Sequence, residues 1–210
     1  DEIDLAFFIN GIPVATVELK TDFTQSVQAA MQQYCMDRRP ERKSGGLEPL
    51  LTFKRGAVVH FAMSDSDIRM TTKLAGDSTF FLPFNRGNDG AAGNPPGENG
   101  SYPVSYFWER VLQKDNWLHI FHRFVLQERK EAQDINGKTY FKEGLIFPRF
   151  HQWEGVTRMI DAVRVEGAGQ PYLIQHSAGS GKTNSIAWTA HFLSDLHDTA
   201  NNKLFSSVLV

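Results

Sequence analysis

Residues 4–20 read D-L-A-F-F-I-N-G-I-P-V-A-T-V-E-L-K. Two apolar, strand-like runs, 4–9 and 13–20, flank Asn10-Gly11. That dipeptide tolerates positive φ at both positions and is the strongest short-range hairpin signal. Side chains alternate between the faces of a strand, so Glu18 and Lys20, two apart, project from one face. With a three-residue loop Asn10-Gly11-Ile12, Asp4 lies directly opposite Glu18 on that face. Two carboxylates and an ammonium then converge in a hairpin whose other residues, Leu5–Ile9, Thr16, Val17 and Leu19, are largely apolar. The bland reading is a solvated strand face with a cross-strand salt bridge. The sharper one is a functional cluster, because charge among apolar neighbours is costly unless it is paired or used. Carboxylates suit Mg²⁺, which binds through one or two of them plus phosphate and water. Such an ion supplies hydroxide and neutralises charge at a scissile phosphate. Asp4, Glu18 and Lys20 are therefore candidate catalytic residues. Asp4 and Glu18 would hold the Mg²⁺, and Lys20 would orient the attacking water or stabilise the pentacoordinate phosphorus.

Downstream of the hairpin the period changes. Phe23, Val27, Ala30, Met31 and Tyr34 fall at i, i+4, i+7, i+8 and i+11, one face of a helix over 21–39. Thr21, Asp22 or Thr24 could cap it. Arg38, Arg39, Arg42 and Lys43 follow, with Lys54 and Arg55 further on. They read either as a solvated run diluted by Asp37 and Glu41 or as neutralisers of nucleic-acid phosphates. Residues 50–53, 57–63, 68–74 and 79–82 read as short strands. The Gly/Asn/Pro-rich segment 84–103 is a loop of the length that is functional or disordered. Helical runs follow at 104–114 and 116–130, where Trp117, Phe121 and Phe124 read as core. The polar stretch 131–143, with Asn136-Gly137, reads as a linker and sets a domain boundary: 1–143, then 144–210.

Composition narrows the possibilities. With 41% hydrophobic and 22% charged residues, the 210-residue chain can bury a core. One cysteine, Cys35, excludes a disulfide framework and a multi-cysteine metal site. No apolar run reaches the ~18–20 residues needed to span a bilayer. The net charge of −2 excludes a uniformly basic coat but not a local basic channel. The histidines show no metal-ligand spacing. The chain opens in a strand-like run and closes in another, 204–210, and so reads as a fragment of a larger protein.

Near the other end, 149–165 reads as a helix, 172–175 as a strand and 182–197 as a helix with buried stripe Ile186, Ala190 and Leu193. This order has the start of a parallel α/β sheet. Between strand and helix lies His176-Ser177-Ala178-Gly179-Ser180-Gly181-Lys182-Thr183. A Gly-rich turn leading from a strand into a helix points successive N–H groups at an anion, and the helix N-terminus adds its positive end. Gly179, Ser180 and Gly181 are candidate cradle residues. Lys182 would reach the β/γ-phosphates of ATP, and Thr183 would ligate its Mg²⁺. His176 stands where the usual Gly-x4-Gly-Lys-Ser/Thr pattern begins with Gly. No second acidic strand follows, so this stretch alone is expected not to hydrolyse ATP.

The chain resembles the restriction (motor/endonuclease) subunit of Type I restriction–modification enzymes. The likeness rests on residues 4–20, F-K-R-G-A-V-V-H-F-A at 53–62, F-F-L-P-F-N-R-G at 80–87, G-N-P-P at 93–96, L-I-F-P-R-F-H-Q at 145–152 and Y-L-I-Q-H-S-A-G-S-G-K-T-N-S-I-A-W at 172–188. The resemblance makes the 84–103 loop a family feature. It implies an α/β chain: a restriction-endonuclease-like (PD-(D/E)xK) nuclease domain, then the first part of a RecA-like P-loop motor domain. It implies an ATP-dependent translocase and endonuclease that cuts double-stranded DNA away from its recognition site. Asp4, Glu18 and Lys20 match the nuclease motif; Lys182 and Thr183 match the first motor motif. Gln152 matches a glutamine that reads the adenine edge, although a polar helix start explains it too. The family's Gln-x3-Tyr motif is met by Tyr34, which a core role explains equally, but Ala30 occupies the Gln position; Gln28 lies nearby. ATP and Mg²⁺ are the implied cofactors. Modification and specificity subunits are the implied partners, S-adenosylmethionine binding only to them, and the implied location is a bacterial or archaeal cytoplasm. The competing readings are a helicase-associated DNA-binding module whose nuclease-like part does not cut, and an assembly module with degenerate sites. Retention of all five matched residue types argues against the last.

Overall fold

The computed structural model describes residues 2–42 and 45–210. Lys43, the last member of the first basic cluster, lies outside the described residues. The chain is mixed α/β and divides into two compact units, residues 1–149 and 150–210.

The first unit is built on a five-stranded sheet in sequential order: β1 (Leu5–Ile9), β2 (Ile12–Leu19), β3 (Val59–Met63), β4 (Ile68–Thr71) and β5 (Leu82–Pro83). β2 and β3 are parallel; the other neighbours are antiparallel. A parallel pair needs a crossover, and helix α1 (Val27–Met36) supplies it. Asn10 and Gly11 adopt φ of 49° and 81°, the two-residue turn their sequence favours. The three-residue loop expected from the sequence does not form. Instead the register shifts between Phe7 and Phe8, after which Phe7 pairs with Ala15 and Leu5 with Val17. The bulge restores what a longer loop was expected to give, and continuing the register sets Asp4 opposite Glu18.

The pleat sorts side chains onto two covered faces. Thr16 and Glu18 pair with His60 and Ala62. Ala62 belongs to the cluster under α1, with Val27, Ala30, Tyr34, Leu51, Leu74 and Phe81. Phe61 points the other way, its ring 5.3 Å from Phe84, 4.9 Å from Phe107 and 5.9 Å from Phe147. Trp117, Phe121 and Phe124 join that second side or its margins as core residues, Phe124 fully buried and Trp117 4.9 Å from Phe121. Cover on both faces explains why residues 14–18 of β2 are buried without a break.

Several expected elements differ. α1 begins at Val27, not near Thr21; Ser26 is its N-cap and Phe23 is 98% exposed. Thr21 and Asp22 instead donate to the Asp65 carboxylate, each at 3.0 Å, tying the turn after β2 to the β3–β4 turn. Residues 50–53 form turns rather than a strand. A π-helical turn occupies Phe107–Val111, and helix α2 runs Lys114–Arg123. The expected helix to residue 130 and linker 131–143 are one β-ribbon, β6 (Leu126–Gln133) with β7 (Thr139–Ile146). Its Glu, Lys, Arg and Gln residues read as helix formers, but cross-strand pairing overrides so weak a preference. Residue 143 lies inside β7, and the compact unit continues to Arg149. The 84–103 loop is fastened by side-chain amides. Asn85 Nδ2 donates to Asp67 Oδ1 at 2.9 Å, and its Oδ1 accepts from Ile68 N–H at 2.9 Å and Asn94 Nδ2 at 3.0 Å.

The second unit contains α3 (Phe150–Glu166) and α4 (Lys182–Ser194). Phe150, Trp153, Val156, Ile160 and Val163 recur every three or four residues and form the buried face of α3. α4 buries Ser185, Trp188 and Phe192; the expected stripe is wrong by one helix face, and Ile186 is 52% exposed. Among the described residues, 172–175 and 204–210 join no strand ladder. An apolar run becomes a strand only when another strand satisfies its backbone, and none pairs with these.

Candidate functional sites

β2 carries Glu18 into the interior under the end of α1. The residue is fully buried, so the solvated-face reading of the hairpin fails for Glu18. Arg38 lies just beyond α1 and donates from Nε to Glu18 Oε1 at 2.7 Å. Glu18 Oε2 is buried and has no hydrogen-bond partner. Burial holds the Glu18 carboxyl above its usual range; the Arg38 guanidinium pulls it down, the Asp4 carboxylate raises it and the Lys20 ammonium lowers it. Arg38, Asp4 and Lys20 are thus all close enough to act on Glu18. Asp4 is exposed, and its Oδ2 accepts the Leu19 N–H at 2.7 Å, which fixes its side chain across the hairpin. Lys20 is half-buried and extends the β2–β3 ladder, its N–H donating to the Met63 carbonyl at 2.9 Å.

Tyr34 is fully buried in the α1 core. Its hydroxyl meets Thr16 Oγ1 at 2.8 Å, not Glu18, and Thr16 Oγ1 also meets His60 Nδ1 at 2.7 Å. Burial pushes the Tyr34 phenol above its ordinary range, opposed by the Thr16 hydrogen bond, and pushes His60 down to about 3. This neutral chain of three polar groups underlies Glu18 on the same sheet face. Gln28 is exposed on α1, off the buried stripe.

Sequence reasoning missed Arg38, Thr16 and His60. Arg38 is 9% exposed, so the surface reading of the first basic cluster fails for it. A signal was present: Arg38 lies four residues past Tyr34 and so continues the buried stripe of α1. Three of the other basic residues are engaged at the surface. Arg42 pairs with Glu48 at 3.0 Å, Arg39 donates to the Cys35 carbonyl at 3.2 Å, and Lys54 pairs with Glu143 at 2.6 Å. Among the described residues no group of three or more His, Cys, Asp or Glu side chains could hold a metal ion. A cation at Glu18 would therefore need oxygens from Asp4, water and a phosphate. The partnerless buried Oε2 is the donor atom that fits one.

In the second unit, Gly179 and Gly181 take φ of 70° and 82°, and Gly181 caps α4 in the left-handed region. Gln152 is 3% exposed, and its amide donates to the carbonyls of Gly181 at 2.8 Å and Ser180 at 3.4 Å. His151 Nε2 meets the Ser180 carbonyl at 3.0 Å. Lys182 Nζ donates to the carbonyls of Ser177 at 2.9 Å and His176 at 3.3 Å. Thr183 is exposed on the first turn of α4 and Ser180 is buried. The structure thus gathers Gly179, Ser180, Gly181, Lys182, Thr183 and Gln152 at one helix start. Gln152 grips the loop from α3.

Searches of curated proteins and of solved structures each found no match. Residues 1–79 match the family model described as the Type I restriction enzyme R protein N terminus. That stretch contains the β1–β2 hairpin, α1, β3 and β4, hence Asp4, Glu18, Lys20, Tyr34 and Arg38. Over residues 1–79 this chain is thus similar to the N termini of Type I restriction enzyme R proteins.

Proposed function

We propose that the chain is part of an ATP-dependent DNA translocase and endonuclease, with a restriction-endonuclease-like domain followed by the start of a RecA-like motor domain. The observation that carries this reading is Glu18: a buried carboxylate with one oxygen on Arg38 and the other without a partner, set across the hairpin from Asp4. Asp4 and Glu18 would hold Mg²⁺, which when bound supplies hydroxide and neutralises charge at the scissile phosphate. Lys20, on the same face, would orient the attacking water or stabilise the pentacoordinate phosphorus. Arg38 keeps Glu18 oriented, and Leu19 N–H keeps Asp4 oriented. In the second unit, Gly179, Ser180 and Gly181 would cradle ATP phosphates. Lys182 would exchange its loop carbonyls for the β/γ-phosphates, and Thr183 would reach the nucleotide's Mg²⁺. Gln152, buried against the loop, shapes it and stands where an adenine-reading glutamine is expected.

The substrate in this reading is double-stranded DNA, cut away from the recognition site. Target recognition and methylation, with S-adenosylmethionine, belong to separate specificity and modification subunits, and the assembly works in the cytoplasm. No described helix is long and apolar enough to cross a membrane.

The test is plasmid cleavage by the complete assembled enzyme carrying Glu18→Ala, with ATP hydrolysis followed in the same tube. Loss of cutting with ATP hydrolysis retained is the expected result. Cutting at the wild-type rate would remove the carboxylate assignment and favour a nuclease-like domain that only binds DNA. Lys182→Ala should abolish ATP hydrolysis and the cleavage that depends on translocation.

A further inference from the structure

We propose that Arg38 is a positioning residue of the carboxylate site: one guanidinium sets both the orientation of Glu18 and its separation from Asp4. This inference rests on the nuclease reading of that site.

The argument is geometric. Arg38 Nε donates to Glu18 Oε1 at 2.7 Å, and another nitrogen of the same guanidinium donates to the Glu2 backbone carbonyl. Glu2 precedes Asp4 by two residues on the segment entering β1. The guanidinium therefore braces β2, which carries Glu18, against the segment entering β1, which carries Asp4, from the end of α1. The Arg38 side chain is 10% exposed and that of Glu18 is fully buried, so Glu18 has no solvent as an alternative partner and Arg38 has little. With Oε1 engaged, Oε2 is the oxygen left without a hydrogen bond. Arg38 thus selects which Glu18 oxygen faces a cation. A planar fork can serve two acceptors at fixed angles, whereas a lysine ammonium is a point charge that cannot hold the same pair. Groups that orient a metal ligand without touching the metal typically change affinity or activity by about 10- to 100-fold when removed.

The experiment compares Arg38→Lys, Arg38→Gln and Glu18→Ala in the assembled enzyme. Both Arg38 variants are assayed, so a folding failure of one leaves the other to decide. Mn²⁺ binding without ATP is measured by electron paramagnetic resonance, counting only the binding that Glu18→Ala removes. Plasmid cleavage is followed against Mg²⁺ concentration, with ATP hydrolysis as the control. The expected result is Mn²⁺ binding weakened about ten-fold or more in Arg38→Lys. The Mg²⁺ requirement for cleavage should rise in parallel, with ATP hydrolysis unchanged. Unchanged Mn²⁺ binding in an assembled variant overturns the inference. So does tighter binding, which would make Arg38 a competitor of the cation. If Glu18→Ala removes no Mn²⁺ binding and cuts normally, the nuclease reading itself fails. If Glu18→Ala is inactive while the Arg38 variants behave as wild type, only the role of Arg38 fails.

Discussion

Arg38 Nε lies 2.7 Å from Glu18 Oε1, joining the segment after a helix to the centre of a sheet across twenty residues of sequence. The pair is buried, and its attraction does not fully offset the loss of water around the carboxylate: Glu18 stays above its usual protonation range with Arg38 in place. Removing one partner of a buried pair is usually destabilising, because it strands the other charge. A substitution that imitates the protonated form avoids part of that cost.

Glu18→Gln is therefore expected to stabilise the metal-free protein at neutral pH. The wild-type carboxylate, raised from 4.5, contributes most stability below that value and loses it as pH rises through its folded pKa. Wild type and variant should have similar melting temperatures near pH 4. The variant should then gain roughly 2–4 °C by pH 8, the shift that ~1 kcal/mol makes in a chain of this size. Thermal melts in chelator across that range check it; a variant less stable at pH 8 would mean that the ion pair outweighs desolvation.

His60 gives the opposite limb. Its folded pKa is lowered by burial from 6.5 to about 3, so its contribution is complete above 6.5 and is lost as pH falls toward 3. Each proton taken up only by the unfolded chain gives a slope of about 1.4 kcal/mol per pH unit. His60→Gln should flatten the acid limb of stability between pH 6 and 4, measured by denaturant unfolding. An unchanged slope would place the acid sensitivity elsewhere.

Gly181→Ala should damage the 176–183 loop for two separable reasons. A Cβ at residue 181 would lie 2.5 Å from Gln152 Nε2, and the residue sits at φ of 82°. The left-handed backbone alone costs a side chain about 1–2 kcal/mol. Binding of a fluorescent ATP analogue to the assembled enzyme should fall about ten-fold or more. Adding Gln152→Ala should recover the steric part and leave the backbone part. Equal losses in the single and double variants would show that the amide contact is immaterial.

Asn85→Ala removes acceptors for Ile68 N–H and Asn94 and the donor to Asp67. Leaving such groups unsatisfied costs about 1–3 kcal/mol. Faster limited proteolysis within 84–103 is the expected outcome, with the rest of the first unit resistant. Unchanged cleavage rates would show that the loop is held by other contacts.

The hairpin was legible because its determinants are local. Asn10-Gly11 codes the turn, alternation codes the face, and together they set Asp4 opposite Glu18. The expected loop was one residue too long, but the bulge after Phe7 compensated for it. The ribbon 126–146 was illegible for the converse reason. Asn136-Gly137 marked its turn, with Gly137 at φ of 76° and Lys138 N–H donating to Asp134 Oδ1 at 2.9 Å. Nothing in its polar strands distinguishes two paired strands from a helix and a linker.

The sequence by itself determined which residues are candidates for chemistry. Asp4, Glu18, Lys20 and the 176–183 loop stand out by residue type and spacing, which the chain encodes directly. Only the tertiary structure decided that Glu18 is buried and that Arg38 is turned inward to meet it. It also decided that Thr16 joins Tyr34 to His60 and that Gln152 holds the 176–183 loop. Those outcomes depend on which elements cover a face and on where distant segments supply partners. In the first unit such pairing arises when α1 closes over β2 and β3, and beyond the helical stripe that Arg38 continues, no local pattern contains it.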